Sequence, residues 1–189
     1  MQELIRQIRD YHPRCEQEAR DQAQMLSFME LHPDCLLRDN LTAHFSASLW
    51  TVNPQRTKAL MVYHNLYDSW SWVGGHADGE SDLCAVALRE LQEETGVTHG
   101  HRVSREIFSL ESLPVFGHIK RGAYVPCHLH FNLTYLAEAD ESETLTICEA
   151  ENSGVRWFTL ADALTAPSET WMVDNIYRKL AQRCREVFP

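Results

Sequence analysis

One stretch limits this chain more than any other: residues 72–97, WVGGHADGESDLCAVALRELQEETGV. Gly74 and Gly75 follow a short apolar run, where a chain turns sharply and brings its backbone close to something. A helical period then runs from Asp82 to Thr95, with Ser81 in the N-cap place and Gly96 to end it. At about 100° per residue, Leu83, Ala87, Leu91 and Thr95 share one stripe, flanked by Cys84 and Leu88, and this stripe is expected to face the core. Glu90, Glu93 and Glu94 fall together on the adjacent face, because helical residues three and four apart are neighbours.

Three carboxylates so placed repel one another, by a few tenths of a kcal/mol (~0.2–0.5) per exposed pair and by more when buried. Arg89 brings a single positive charge. A divalent cation offsets the repulsion better, and hard carboxylate oxygens suit Mg²⁺ or Mn²⁺. Taken alone, the glutamates read more readily as a solvated acidic face. The glycine loop ahead of them shifts the balance, since a backbone carbonyl there can complete a cation's oxygen shell.

The chain has 189 residues, 44% of them hydrophobic, enough for one globular domain with an appendage and too many for a disordered chain. The net charge of −10 argues against sequence-independent nucleic-acid binding. It leaves room for a small anionic substrate met through a cation. No apolar run is long enough to span a membrane. The polar N-terminus has no signal-peptide pattern, so a cytoplasmic location is expected. The six cysteines lack Cys-x-x-Cys spacing and read as free thiols, neither a disulfide framework nor a zinc site.

Along the chain, Leu4, Ile5 and Ile8 mark a first helix that breaks at Tyr11 and Pro13. A second is expected from about Arg14 to Leu31, its faces marked by Ala19, Ala23 and Leu26 and its end by Pro33. The pair reads as a helical hairpin packed on the main domain, or else as a partner-binding or dimer-forming element. From Thr42 the period becomes two, with a turn at Asn53-Pro54-Gln55 and a returning strand Ala59–His64. Further strands are expected at 105–110, 113–116, 125–136 and 155–158, a helical turn at 160–164, and a terminal helix over 169–187. This is a mixed α/β sandwich.

Gly75 and the run Arg89-Glu90-Leu91-x-Glu93-Glu94-x-Gly96-Val97, fourteen residues on, resemble the signature of the Nudix hydrolases. That family places a glutamate six residues after the glycine; this chain has Ser81 there and Glu80 one place earlier. The wording Gly-Gly-His-Ala-Asp-Gly-Glu, with the helical extension, resembles a bacterial subgroup whose members are mostly uncharacterised. The resemblance implies a Nudix-like α/β/α sandwich with a mixed central sheet over residues 41–189, behind an N-terminal helical extension over 1–40. It implies Mg²⁺- or Mn²⁺-dependent cleavage of a small nucleoside diphosphate linked to another group. It implies metal ligation by Glu90, Glu94 and the Gly74 carbonyl, Glu93 as ligand or general base, and Arg89 orienting the helix and its carboxylates.

Outside that signature, Glu149 and Glu151 stand ahead of the strand at 155–158 and are the acids a Nudix enzyme could recruit as base or ligand, Glu151 being preferred. His128 and His130 share one strand face and, with His76, are candidates to contact phosphate or metal; packing is the competing reading. Lys120 and Arg121 are candidates for phosphate, with simple solvation the preferred reading, and Trp70, Trp72 and Tyr124 for a base, with core packing preferred for Trp72. Two rivals keep the fold. An isoprenyl-diphosphate isomerase would need a pocket cysteine, for which Cys84 and Cys127 are poor matches. A non-catalytic ligand sensor would have no reason to keep three repelling glutamates.

Overall fold

Strand β1 (Ala43–Val52) is buried along its whole length, polar residues included. Ser46 and Ser48 are tolerated because each donates a hydroxyl hydrogen bond to Asn132 Oδ1, at 3.1 and 2.9 Å. The computed structural model describes residues 1–120 and 122–187. Before β1 come α1 (Gln2–Asp10) and α2 (Glu16–Leu31). After it come β2 (Lys58–His64), β3 (Ser69–Ser71), β4 (Val73–His76), α3 (Leu83–Thr95), β5 (His101–Arg102), β6 (Ser109–Val115), β7 (His118–Lys120), β8 (Ala123–Val125), β9 (His128–Glu138) and β10 (Asn152–Thr159). Among the described residues the strand order is β10-β2-β1-β9-β5, with β3 on β2, β4 on β1 and β6 on β9, while β7 and β8 pair separately. The fold is α/β, with N-terminal helices and a mixed central sheet. No helix among the described residues is long and apolar enough to cross a membrane.

Two compact units are present. The first comprises Met1–Ser48, Gly74–Ala87 and Ser104–Tyr135. Its two N-terminal helices run where the sequence places them, but α2 buries Glu18, Met25 and Met29, while Ala19 and Ala23 stay exposed and Leu26 is half-buried. Glu18 faces inward because polar partners meet it. Its carboxylate accepts the Arg14 N–H at 2.9 Å and the Ser109 hydroxyl at 2.9 Å. Ser109 also bonds Glu111, whose other oxygen accepts from Thr134 Oγ1 at 3.1 Å and Asn132 Nδ2 at 3.3 Å. Further along α2, Asp21 accepts the Ser112 N–H at 2.9 Å and Gln24 the Ser112 hydroxyl at 3.0 Å.

The separate strands expected at 105–110 and 113–116 are a single strand, β6. The polar residues Glu111 and Ser112 interrupted the apolar pattern, yet both are hydrogen-bonded in place. The strand expected over 125–136 is divided at Pro126, which offers no N–H to a ladder. Arg121 lies outside the described residues. Lys120 and Tyr124 are exposed, Tyr124 standing opposite Ile119 where β7 pairs with β8.

The second unit comprises Leu49–Val73, Leu88–Val103 and Leu136–Pro189. Asn53 closes the β1–β2 turn, its Oδ1 accepting the N–H groups of Thr57 and Lys58 at 2.8 and 2.9 Å. After the 3₁₀ turn Asp162–Leu164, the terminal helix is not continuous. Between α4 (Thr170–Met172) and α5 (Arg178–Val187) a wider π turn, Val173–Tyr177, seats Tyr177 against Trp50 and Trp72, at centroid distances of 5.8 and 5.6 Å. Trp72 is therefore core, and Trp70 packs edge-on against Phe158. None of the six cysteines is in a disulfide.

The acidic loop after β9 is more than a solvated connection. Glu143 Oε2 accepts the Thr98 N–H at 2.9 Å and its hydroxyl at 3.1 Å, which holds the segment after α3 and keeps the Glu143 carboxyl below its ordinary range. A carboxylate with a depressed folded pKa stabilises above its unfolded value, about 4.5, and loses that contribution as pH falls through the folded value. Glu143→Gln is expected to lower stability by about 1 kcal/mol at neutral pH. Urea unfolding at stepped pH should show the gap between variant and wild type closing below pH 4.5. A gap that persists undiminished at the acid end would exclude this account.

Candidate active site

Helix α3 starts one residue later than the sequence suggests. Asp82, not Ser81, is the cap: its Oδ1 accepts the Ala85 N–H at 3.1 Å. Glu80 bends back onto the same turn, accepting the N–H groups of Ser81 and Asp82 at 2.8 and 3.0 Å. The helix ends at Gly96, whose φ of +76° is the left-handed conformation a C′ residue adopts. Leu83, Ala87, Leu91 and Thr95 are all buried, as the stripe requires, with Cys84 beside them.

Glu94 is also buried, at 3% exposure, so the acidic edge of α3 is not a solvated face throughout. Glu90 is half-buried. Glu151 comes from the turn ahead of β10, and one carboxylate oxygen each from Glu90, Glu94 and Glu151 lie within 4.8 Å of one another. The turn carrying Glu151 is tied down by Asn152, a buried residue with no signal in the sequence pattern. Asn152 Nδ2 donates to the Glu94 carbonyl at 2.9 Å, and its Oδ1 accepts the Cys148 N–H at 3.3 Å. Glu93 stands outside this trio, 60% exposed, with Arg89 Nε 4.0 Å from its carboxylate. Glu149 is exposed.

The trio suits a hard divalent cation. An octahedral Mg²⁺, with oxygens at about 2.0–2.1 Å, sets ligand oxygens about 3–4 Å apart. Small side-chain rotations reach that from the present spacing. Three carboxylates this close, one of them buried, repel one another, and a divalent cation would offset that repulsion.

In the first unit, Gly74 on β4 is held tightly against β1: a Cβ there would stand 2.4 Å from the Ala47 carbonyl oxygen. Two residues on, His76 joins His44, His128 and His130. Ring centroids are 5.2 Å apart for His44–His76, 4.8 Å for His44–His130 and 4.8 Å for His76–His130. His128 and His130 do share a face, with their Nε2 atoms 3.2 Å apart. Burial, reinforced by Arg38, Lys120 and the neighbouring rings, pushes His76 down to about 3 and His130 to about 2; it lowers His44 as well. His44 escaped notice in the sequence. Its signal was the polar parity of His44, Ser46 and Ser48 against Phe45, Ala47 and Leu49.

The NUDIX domain model matches residues 42–180. The chain belongs to the Nudix family. The helices α1 and α2 lie before the matched region. Among curated proteins, the human "Nucleoside diphosphate-linked moiety X motif 6" is 27% identical over 141 residues, covering 72% of this chain. The chain spans 41% of that relative's length. Among solved structures, the MutT protein of Methanosarcina mazei Go1 is similar with a TM-score of 0.55 at 15% identity, covering 78% of this chain and 97% of its own. A C. elegans Ap4A hydrolase binary complex gives 0.52 at 18%, covering 76% and 96%. At these identities the structures establish the Nudix fold. Glu80 secures the loop to the helix start through the backbone N–H groups of Ser81 and Asp82.

Proposed function

We propose that this chain is a Mg²⁺- or Mn²⁺-dependent Nudix hydrolase that cleaves the phosphoanhydride of a small nucleoside diphosphate derivative, such as a nucleotide sugar or a dinucleotide. The observation that carries this reading is the meeting of Glu90, Glu94 and Glu151. Glu90 and Glu94, one helical turn apart, hold the cation from α3, and Glu151 reaches it from the turn. When bound, the cation neutralises charge on the diphosphate and lowers the pKa of a coordinated water. Glu151 is exposed and belongs to the trio, which favours it over Glu93 as acceptor of the proton from the attacking water. Arg89, beside Glu93, orients the acidic edge of the helix.

The nucleoside diphosphate class rests on the family and on the relatives' names, and the bacterial subgroup remains a resemblance of wording. The histidines are poor phosphate partners. Half-buried and neutral, His76 and His130 offer no positive charge at neutral pH.

A screen of nucleoside diphosphate conjugates, dinucleotides and nucleoside triphosphates with Mg²⁺ and Mn²⁺, read by chromatography of the products, tests the proposal. Metal-dependent turnover of at least one class, abolished by chelation, is expected. No turnover across the panel by folded, metal-binding protein would sink the enzymatic reading and leave a ligand sensor.

A further inference from the structure

We propose that His44, His76 and His130 form a second metal site, which binds Zn²⁺ through imidazole nitrogens and is independent of the carboxylates on α3. One ring nitrogen from each of the three lies within 4.8 Å of the other two. The three residues stand on separate strands, β1, β4 and β9, so backbone pairing rather than a mobile loop sets their spacing.

His44 gives the sharpest indication. Its Nδ1 lies 3.0 Å from the Asn40 carbonyl oxygen. A carbonyl only accepts, so Nδ1 carries the proton and Nε2 of the neutral ring presents its lone pair. His44 is 2% exposed, and Nε2 has no hydrogen-bond partner among the described residues. Buried nitrogens without partners are uncommon in native proteins, and an unseen ion is one of the recognised explanations. An imidazole with one nitrogen tied to a backbone carbonyl and the other turned inward is the usual arrangement of a metal-binding histidine.

His128 extends the pattern as a positioning residue. Its Nδ1 lies 2.8 Å from the Pro126 carbonyl oxygen and its Nε2 3.2 Å from His130 Nε2. Two ring nitrogens on one tetrahedral Zn²⁺, each at about 2.0–2.1 Å, would be about 3.3 Å apart. The ligand nitrogens of His44, His76 and His130 lie within 4.8 Å of one another, and side-chain rotations bring them to that spacing.

Donor chemistry assigns the ion. Neutral imidazoles favour Zn²⁺ and its transition-metal neighbours, whereas carboxylates favour Mg²⁺ and Mn²⁺. The chain thus carries two donor sets selective for different cations. Three histidine ligands leave a fourth position for water or another ligand.

The test uses full-length, chelator-stripped protein titrated calorimetrically with Zn²⁺ in millimolar Mg²⁺. One Zn²⁺ per chain is expected, with each of His44→Gln, His76→Gln and His130→Gln weakening affinity by about tenfold or more. Glu90→Gln should leave the zinc stoichiometry unchanged. Co²⁺ offers a readout that does not depend on affinity: wild type should show the intense visible bands of a tetrahedral nitrogen-ligated ion, and His76→Gln should lose them. His76 is half-buried, so its substitution leaves the fold intact, as far-ultraviolet circular dichroism would verify. Zinc affinity unaltered by His76→Gln, or a Co²⁺ spectrum of six-coordinate type in the wild type, would overturn the proposal. Neither readout requires hydrolysis, so it stands or falls separately from the Nudix reaction.

Discussion

Glu94→Gln is expected to lower kcat/KM for metal-dependent hydrolysis by about a hundredfold to a thousandfold, the range seen when one group that stabilises developing charge is removed. That corresponds to about 3–4 kcal/mol of transition-state stabilisation. The amide keeps the size of the side chain and removes its charge. Glu94 is 3% exposed and within 4.8 Å of two other carboxylates, so neutralising it also relieves repulsion in the metal-free protein. Wild type should gain Tm as Mg²⁺ or Mn²⁺ is added, because the ion binds only the folded state. The variant should lose most of that gain. Full activity in Glu94→Gln, or an unchanged metal-induced Tm shift, would remove this residue from the metal site.

Gly74→Ala should be among the most damaging single substitutions in the chain. The added Cβ would stand 2.4 Å from the Ala47 carbonyl oxygen and 2.9 Å from Ser48 Cα, both backbone atoms of β1. A strand pressed against a strand cannot yield by rotating a side chain, so the pairing itself must open. Overpacking typically destabilises by about 1–3 kcal/mol, and a backbone clash this short belongs at or beyond the upper end. Gly100→Ala is the internal comparison. Its Cβ would approach Leu91 Cδ2 at 2.5 Å, the tip of a side chain that can turn aside. Urea unfolding should show a much larger loss for Gly74→Ala. Equal midpoints for the two variants would mean that β4 has room the structure does not give it.

The helix of the signature was legible because its period is local: the buried stripe at Leu83, Ala87, Leu91 and Thr95 follows from spacing alone. Glu151 was reachable too, as an acid just ahead of a strand. What escaped the sequence depends on partners far along the chain. Whether Glu94 is solvated or buried is not written in its neighbours on α3. Asn152 matters through a hydrogen bond to a carbonyl 58 residues away. His44 looked like one polar residue on a strand until three other imidazoles met it. Glu18 sits inward on α2 because Ser109 waits for it, and Glu111 kept β6 from reading as one strand for the same reason. The cap is Asp82 rather than Ser81, with Glu80 holding the N–H groups just ahead of it. For Glu18, Glu111 and Asn152 a buried polar contact overrode the apolar pattern.

Asn132 has a consequence for how this chain avoids misfolding. All of its polar capacity is committed: the oxygen takes two serine hydroxyls from β1, and the nitrogen serves Glu111 and Thr134. It stands opposite Glu111 in the β6–β9 ladder, where Val115 faces His128 and Leu113 faces His130. A slip of one residue would turn Asn132 to the other side of the sheet, strand its partners and send both histidines with it. The same slip would turn the apolar residues of the strand out of the core, and the saturated amide adds the cost of its stranded partners. Asn132 thus reinforces the apolar pattern in holding the register on which the imidazole cluster depends.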